Sequence, residues 1–219
     1  PTNYYGVAFG IARYRALLGW EPVYHSKYLL ERFIEHIDRY SGDLEFMDET
    51  PGEGRFERYT MVAPGEVTAL LMNTGMEVPE KIHTMLRKSC NIILQLANEA
   101  GDGCPYGRSS GVYGDTAVLE ALSAAAGLGT IYTETERKLA YGYSTSIMKK
   151  IANFWYDQET EAFNLWDKGR KTDSYRNKNR ILSESLNLCM HVISCYEHWK
   201  NANLEQFEGY NDYSKTLED

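Results

Sequence analysis

Apolar residues recur at three- and four-residue steps along most of the chain, which is the pattern of amphipathic helices. The pattern predicts seven of them, covering residues 3–18, 26–40, 64–75, 79–100, 115 or 116 to about 127, 133–154 and 181–199. Helical signals dominate throughout, so the predicted fold class is all-α. The last stretch, residues 201–219, is polar and is predicted to be a peripheral or frayed tail.

Local signals predict where several helices begin. Ser26 is a candidate N-cap of the second helix, and Pro64 fits the first turn of the third. Pro79 is predicted to open the fourth helix, and Thr133 with Glu136 fits a capping box at the sixth.

Three helices carry apolar sets that we expect to face the core. The first helix has Tyr5, Phe9, Ala12, Ala16 and Leu17; the fourth has Ile82, Met85, Leu86, Ile92, Ile93 and Leu96; the seventh has Leu182, Leu186, Cys189, Met190 and Ile193.

Three long loops interrupt the helices. They begin at Gly42, Gly101 and Tyr156, which are 59 and 55 residues apart. A unit of helix, short link, helix and long loop therefore recurs, which is typical of a helical solenoid or toroid. We expect the long loops to collect at one end and line a groove, the alternative being ordinary surface loops that pack on themselves. EAFNLWD in the third loop could form a short strand or hairpin.

Composition and charge limit the class of protein. A chain of 219 residues with 43% hydrophobic content supports one domain, predicted over residues 1–200. The net charge of −8 argues against a nucleic-acid partner, and no apolar run is long enough for a membrane span. The chain begins with Pro1, so we interpret it as a piece of a longer or processed chain.

Cysteines and histidines predict no metal site and no cofactor. None of the four cysteines forms a C-x-x-C pair, and the five histidines show no H-x-x-x-H spacing. Cys90, Cys189 and Cys195 are expected to be buried thiols, which favours a reducing, cytoplasmic location. His191 and His198 are seven residues apart and could share a helix face, where a structural role is expected.

The loops combine carboxylates, arginines and flat aromatic rings, which together are what an acidic-sugar site needs. Aromatic faces stack on a pyranose, carboxylates act as acid and base, and arginine holds a carboxylate in a bidentate fork. The alternative is that these charges are solvated or pair with one another. The second loop, GDGCPYGRSSGVYGD, holds Arg108 among glycines and serines that leave its reach uncrowded.

Three strings occur in a familiar order: NYYGVAFGIARYRALLG, GDLEFMDETPGEGRFERYTMVAP and CPYGRSSGVYGDTAVLEALSAAA. Over about Asn3 to Asn153 the chain resembles a microbial family long described only as a domain of unknown function. The resemblance implies an (α/α) toroid, of which the seven predicted helices would supply roughly half. Some members are glycoside hydrolases that remove terminal β-glucuronic acid from plant glycans, and related toroids include unsaturated-glucuronyl hydrolases and uronate polysaccharide lyases.

The resemblance rests on particular positions. Those that match the family pattern are Asn3, Asp48, Phe56, Glu57, Tyr59, Gly107, Arg108 and Ser109. Those that depart from it are Arg58 in place of an aromatic residue, Thr60 and Met61 where Asn is expected, and Gly111 with Val112 in place of an apolar–aromatic pair.

The first functional hypothesis is a carbohydrate-active enzyme: a β-glucuronidase-like glycoside hydrolase acting on a uronic-acid-containing glycan by carboxylate acid/base catalysis. The catalytic candidates are Asp48, Glu53, Glu57 and Asp115. The candidates for substrate binding are Asn3, Arg55, Tyr59, Tyr106, Arg108, Ser109, Tyr113 and Trp166, with Arg108 as the clamp for the sugar carboxylate.

Two alternatives stay open. One is a uronate lyase on the same scaffold, with Tyr59 or Tyr106 as base and Arg108 stabilising the enolate charge. The other is a non-catalytic helical module that binds a glycan or a protein. The expected partner is an oligo- or polysaccharide, with a homodimer or the missing part of the barrel as a further partner.

Overall fold

The computed structural model describes residues 2–40, 58–106, 111–159, 161–163 and 181–203. These residues form α-helices joined by short links and by parts of the long loops. The helices are α1 (Thr2–Leu17), α2 (Val23–Tyr40), α3 (Arg58–Asn73), α4 (Glu80–Gln95), α5 (Val112–Leu128), α6 (Glu134–Lys150) and α7 (Ile181–Asn201). The all-α class is therefore confirmed.

A π-helical turn and a small hairpin follow α6. The π-helix spans Ile151–Trp155, which carries the sixth helix to the end predicted for it. Strands β1 (Tyr156–Asp157) and β2 (Ala162–Phe163) then pair antiparallel, with Tyr156 opposite Phe163. Strand β2 is the short strand predicted within EAFNLWD, and it pairs with β1 from before that string, while 164–167 lie outside the described ranges.

Several helix boundaries differ from the predicted ones. The helix α2 begins at Val23, so Ser26 lies inside its first turn, and the Ser26 hydroxyl donates to the Val23 carbonyl at 2.9 Å. Helix α3 begins at Arg58, which places Pro64 in the helix interior. Helix α5 begins at Val112, ahead of the predicted Asp115, because Gly111 provides a positive φ of 92° at the N-cap. Helix α4 ends at Gln95, earlier than predicted.

The predicted start of α6 is confirmed in detail. Thr133 accepts a hydrogen bond from the Glu136 amide at 3.2 Å, and the Glu136 carboxylate accepts one from the Thr133 amide at 2.8 Å. Arg87 of α4 adds a bidentate pair to the same carboxylate, at 2.9 and 2.8 Å. Hydrogen bonding to Arg87 is the main reason that the pKa of Glu136 is lowered. The cap therefore also ties α6 to α4.

The odd-numbered helices form one layer in which all four run parallel. Gly6 of α1 lies against Val67 of α3, and Gly10 lies against Leu70, so residue numbers increase in the same direction along both helices. Between α3 and α5, Gly65 lies against Ala121 while Met72 lies against Gly127. Between α5 and α7, Glu120 meets His191 and Gly127 meets His198, which gives the same direction.

The even-numbered helices pack behind this layer and return the chain. Helix α2 packs on α1, α4 packs on α3 and α5, and α6 packs on α5. Because the odd helices are parallel, α3, α5 and α7 all begin at the same end of the molecule. Most of the residues of the three long loops lie outside the described ranges, so their gathering at one end stays a prediction.

Two hydrophobic clusters hold the layers together. The larger surrounds α5, whose Ala-rich sequence lets it be buried on nearly all sides. The smaller joins α1, α2, α3 and α4 around Phe9, Phe33, Leu71 and Ile82, which are all fully buried. Small residues set the spacing: a Cβ on Gly65 would lie 3.0 Å from the Ala121 Cα.

The predicted inward face of α7 is wrong at the residues that the structure describes. Met190 and Ile193 are 65% and 54% exposed, and Cys189 is exposed, whereas Leu188, Cys195 and Trp199 are buried. Helix α7 has apolar residues on two sides, and within the described ranges it packs mainly on α5, which covers one of them. In α1, likewise, Phe9 and Ala12 are buried while Leu17 is exposed, and Leu96, just after α4, is exposed.

Candidate functional site

A cavity of about 350 Å³ lies at the end of the molecule where α3, α5 and α7 begin, which we call the loop end. The segment 98–106 and the start of α5 form its walls, and the end of α6 closes one side. The residues that line it and carry chemistry are Asn98, Asp102, Cys104, Tyr106, Asp115 and Lys150. We call this the loop-end cavity. It occupies the glycine-rich second loop singled out in the sequence.

Asp115 anchors the loop-end cavity through three donors, which make four contacts with its carboxylate. Its Oδ1 accepts from the Gly103 amide at 2.8 Å and from Lys150 Nζ at 3.2 Å. Its Oδ2 accepts from the Trp155 indole at 2.7 Å, and Lys150 Nζ lies 3.1 Å from the same oxygen. From the start of α5, the Asp115 carboxylate therefore holds together the second loop, α6 and the π-helical turn.

Burial and these donors act in opposite directions on Asp115. Its side chain is 4% exposed, and desolvation, the largest cause, raises the pKa of the carboxyl above its usual 3.8. The charge of Lys150 and the hydrogen bonds from Trp155 and Gly103 lower the pKa without cancelling that rise. Asp115 therefore binds a proton more readily than an exposed aspartate does.

Asp102 and Tyr106 are the exposed groups at the mouth of this cavity. The Asp102 carboxylate lies 2.7 Å from Lys150 Nζ and is 63% exposed. Tyr106 is 58% exposed, so its ring face is accessible. The Asp102 carbonyl accepts a hydrogen bond from the buried Tyr143, which holds this part of the loop against α6.

Close backbone packing explains the glycines of the second loop. A Cβ on Gly103 would lie 2.5 Å from the Gly114 carbonyl oxygen, and one on Gly114 would lie 2.2 Å from the Cys104 oxygen. Gly101 has a φ of 68°, and a Cβ there would lie 2.6 Å from the Ser146 carbonyl. A side chain at any of these positions would force the loop away from α5 and α6. Close packing therefore accounts for part of the glycine content of the second loop.

A second cavity, of about 320 Å³, lies on the face of the parallel layer that α2, α4 and α6 do not cover. Helices α1, α3, α5 and α7 all line it, and its polar groups are Glu66, Asn73, Glu120, Ser123, His191 and His198. We call this the mid-layer cavity. Its lining confirms that His191 and His198 share a helix face.

Three side chains converge in the mid-layer cavity. His191 Nδ1 lies 2.5 Å from Glu120 Oε1, and one ligand atom from each of Glu66, Glu120 and His191 lies within 4.8 Å of the other two. Glu66 is exposed, while Glu120 and His191 are partly buried. Further along, His198 Nε2 lies 3.4 Å from the Asn73 amide oxygen, and burial lowers the pKa of His198.

Most of the residues proposed from the sequence lie outside the described ranges: Asp48, Glu53, Arg55, Glu57, Arg108, Ser109 and Trp166. Asn3 and Tyr59 are described only as positions in the first turns of α1 and α3. Asp115 and Tyr106 both border the loop-end cavity. Tyr113 is buried within the larger hydrophobic cluster, at 9% exposure, and so packs rather than opening to the cavity.

The sequence did not reveal Lys150, Asp102, Glu66 or Glu120 as site residues. Lys150 looks like an ordinary basic residue in the last turn of a helix. Glu66, Glu120 and His191 lie on three different helices, with spacings along the chain that match no motif. Only the parallel packing of α3, α5 and α7 brings them together.

No disulfide joins the cysteines in the described part of the chain. Cys90, Cys104 and Cys195 are buried, as expected for two of them, but Cys189 is exposed, which corrects its predicted burial. Burial raises the pKa of Cys90 and of Cys195 to about 12, so neither is a ready nucleophile.

Comparison of the chain with protein-family models, with curated proteins and with solved structures finds no match. Among the described helices, none combines the length and the apolar character that crossing a membrane requires.

Proposed function

We propose that the protein is a carbohydrate-active enzyme, a glycoside hydrolase that acts on a uronic-acid-containing glycan. One observation carries the proposal: the loop-end cavity is lined by the carboxylates of Asp102 and Asp115 and by the exposed Tyr106. Carboxylates and an aromatic platform are two of the three elements that an acidic-sugar site requires. The third, an arginine clamp, is expected from the loops.

Helix direction supports an acidic ligand at this end. The N-termini of α3, α5 and α7 all point to the loop end, because these helices are parallel. A helix N-terminus carries a partial positive charge that favours negative groups nearby. A sugar carboxylate approaching this end is therefore attracted even though the chain as a whole carries a charge of −8.

The proposal divides the work between the residues that border the cavity and those of the loops. Tyr106 stacks against the sugar ring, and Arg108, two residues further along the chain, clamps its carboxylate. The acid and base come from Asp102 together with Asp48, Glu53 or Glu57. Asp115, already held by three donors, positions the loop and Lys150.

Product analysis on a panel of glucuronic- and galacturonic-acid oligosaccharides tests the proposal. New reducing ends without near-ultraviolet absorbance are the result expected of a hydrolase. New reducing ends with that absorbance would mean that a lyase forms an unsaturated uronate, and the base would then be a tyrosine. A folded sample that binds the oligosaccharide without turnover would mean a binding module, and one that neither binds nor cleaves would contradict the acidic-sugar site.

A matched pair of tyrosine variants tests the location. Tyr106→Ala should weaken oligosaccharide binding by about tenfold, or about 1.4 kcal/mol, because the stacking platform is lost. Tyr24→Ala is the control: Tyr24 is 72% exposed and lies at the start of α2, near the opposite end. Equal binding by the two variants would rule out the loop-end cavity as the sugar site.

A further inference from the structure

The mid-layer cavity holds a set of side chains that the proposed function does not use. Glu66, Glu120 and His191 come from three adjacent parallel helices and converge within 4.8 Å. Glu66 and Glu120 are each eight residues from the start of their helices, which is about 12 Å from the loop end. The cluster is therefore distinct from the loop-end cavity.

The ligand types select a class of metal. One imidazole nitrogen with two carboxylate oxygens suits zinc and other first-row transition dications, whereas calcium and magnesium prefer oxygen ligands alone. A dication would balance both carboxylates at once and would leave His191 in the neutral form that ligates metals. We propose that Glu66, Glu120 and His191 form a binding site for a divalent transition-metal ion such as Zn²⁺.

The distances fit this assignment after a small local adjustment. Donors on one tetrahedral zinc ion lie about 2.0–2.2 Å from the metal and so about 3.3 Å from each other. The 2.5 Å between His191 Nδ1 and Glu120 Oε1 must widen by a little under 1 Å for both atoms to bind one ion. Glu66 must move inward, from within 4.8 Å of the other two ligand atoms, and its side chain is exposed.

The surroundings leave room for a further ligand. Three protein ligands are the number found in catalytic zinc sites, where water or substrate completes the coordination. The cavity beside the cluster, of about 320 Å³, holds that water or a small molecule. Ser123 and His198, which also line it, supply hydrogen-bonding groups to whatever occupies the open position.

Metal titration of the full chain tests the site. The protein is stripped with a chelator and divided into two samples. One is dialysed against Zn²⁺ and analysed for bound metal; the other is titrated with Co²⁺, whose visible absorption reports its coordination. We expect one ion per chain and a Co²⁺ spectrum that Zn²⁺ abolishes. The absence of stoichiometric uptake would overturn the proposal.

Single substitutions locate the ion. We expect a large loss of metal affinity in each of three variants: Glu66→Gln, Glu120→Gln and His191→Gln. Each loss should exceed the roughly 10- to 100-fold that follows when a residue hydrogen-bonded to a metal ligand is removed. His25→Gln is the matched control, since His25 pairs with Glu21 at 3.0 Å on the surface of α2 and its preceding link. Uptake that survives all three substitutions, or that falls equally in His25→Gln, would show an adventitious ion and overturn the site.

Far-ultraviolet circular dichroism confirms that each variant is folded. Glu66→Gln changes an exposed side chain, so this variant keeps the test decisive even if another unfolds. The readout needs no glycan, so failure of the metal site and failure of the proposed glycosidase activity are told apart.

Discussion

The carboxylates of the two cavities are held in different ways. At the loop end, Asp115 is 4% exposed and is fully engaged by the Gly103 amide, Lys150 and Trp155. In the mid-layer, Glu120 is 10% exposed and meets His191, while Glu66 reaches the same point from an exposed position. The first carboxylate joins structural elements together, and the second faces an open cavity.

This difference shows why burial alone does not mark a functional carboxylate. A buried charge needs donors, and when all of them come from the fold the group acts as a structural tie. A partly buried carboxylate with room beside it can change partners at low cost. Single substitutions at the loop-end cavity should therefore change the stability of the protein, whereas those in the mid-layer cavity should change ligand binding.

The largest expected effect is the loss of the Asp115 carboxylate. Asp115→Ala should lower the free energy of unfolding by about 3–5 kcal/mol, because Lys150, Trp155 and the Gly103 amide lose their shared acceptor. Denaturant unfolding measures the change. Asp102→Ala is the control, because this exposed partner of the same Lys150 should cost no more than about 1 kcal/mol. Equal losses in the two variants would contradict the anchoring role.

Backbone contact at the loop end gives the next effect. Gly114→Ala should destabilise the protein by about 1–3 kcal/mol, because its Cβ would meet the Cys104 carbonyl oxygen. Gly6→Ala is the matched change in α1, where the nearest atoms to an added Cβ lie 3.6 Å away. That variant should be neutral or more stable by up to about 1 kcal/mol. Thermal or denaturant unfolding of the pair distinguishes a tight contact from a general intolerance of alanine.

The pH dependence of stability should carry the signature of Asp115. Its raised pKa means that the folded state binds the proton more tightly than the unfolded state does. Its contribution to stability is therefore greatest below 3.8 and falls as pH rises through the folded-state pKa, with a slope of at most about 1.4 kcal/mol per pH unit. Unfolding measured against pH should show a wild-type advantage over Asp115→Asn that shrinks with rising pH. An advantage that grows would indicate a lowered pKa.

The smallest stability effect is expected in the mid-layer. Glu120→Gln keeps an amide oxygen that can accept a hydrogen bond from His191, so it should cost no more than about 1 kcal/mol. Denaturant unfolding without added metal measures this. A loss as large as that of Asp115→Ala would mean that the mid-layer pair is also a structural tie, and the contrast between the two cavities would disappear.

The helices were largely predictable because their signals are local. The apolar steps predicted all seven, and Thr133 with Glu136 and the proline at position 79 marked two starts correctly. The starts of α3 and α5 were missed because Pro64 is tolerated inside a helix here and Gly111 supplies an N-cap conformation without a capping side chain. The exposed face of α7 was missed because periodicity shows which residues align, and not which side meets a neighbour.

The sites were only partly predictable. The glycine-rich second loop was recognised, and Asp115 and Tyr106 do border a cavity there. Lys150 was not found, because a lysine at a helix C-terminus is ordinary in sequence. The Glu66, Glu120 and His191 cluster left no motif, since its members are 54 and 71 residues apart along the chain.

The sequence by itself determined the all-α class, the alternation of short and long segments between the helices, and the capping box that starts α6. These properties depend on interactions between residues a few positions apart. The tertiary structure alone decided that the odd helices run parallel, that the glycines of the second loop lie against the backbone of α5 and α6, and that three distant side chains meet. Those outcomes depend on how whole helices pack, and the energy of that packing is spread over many weak contacts.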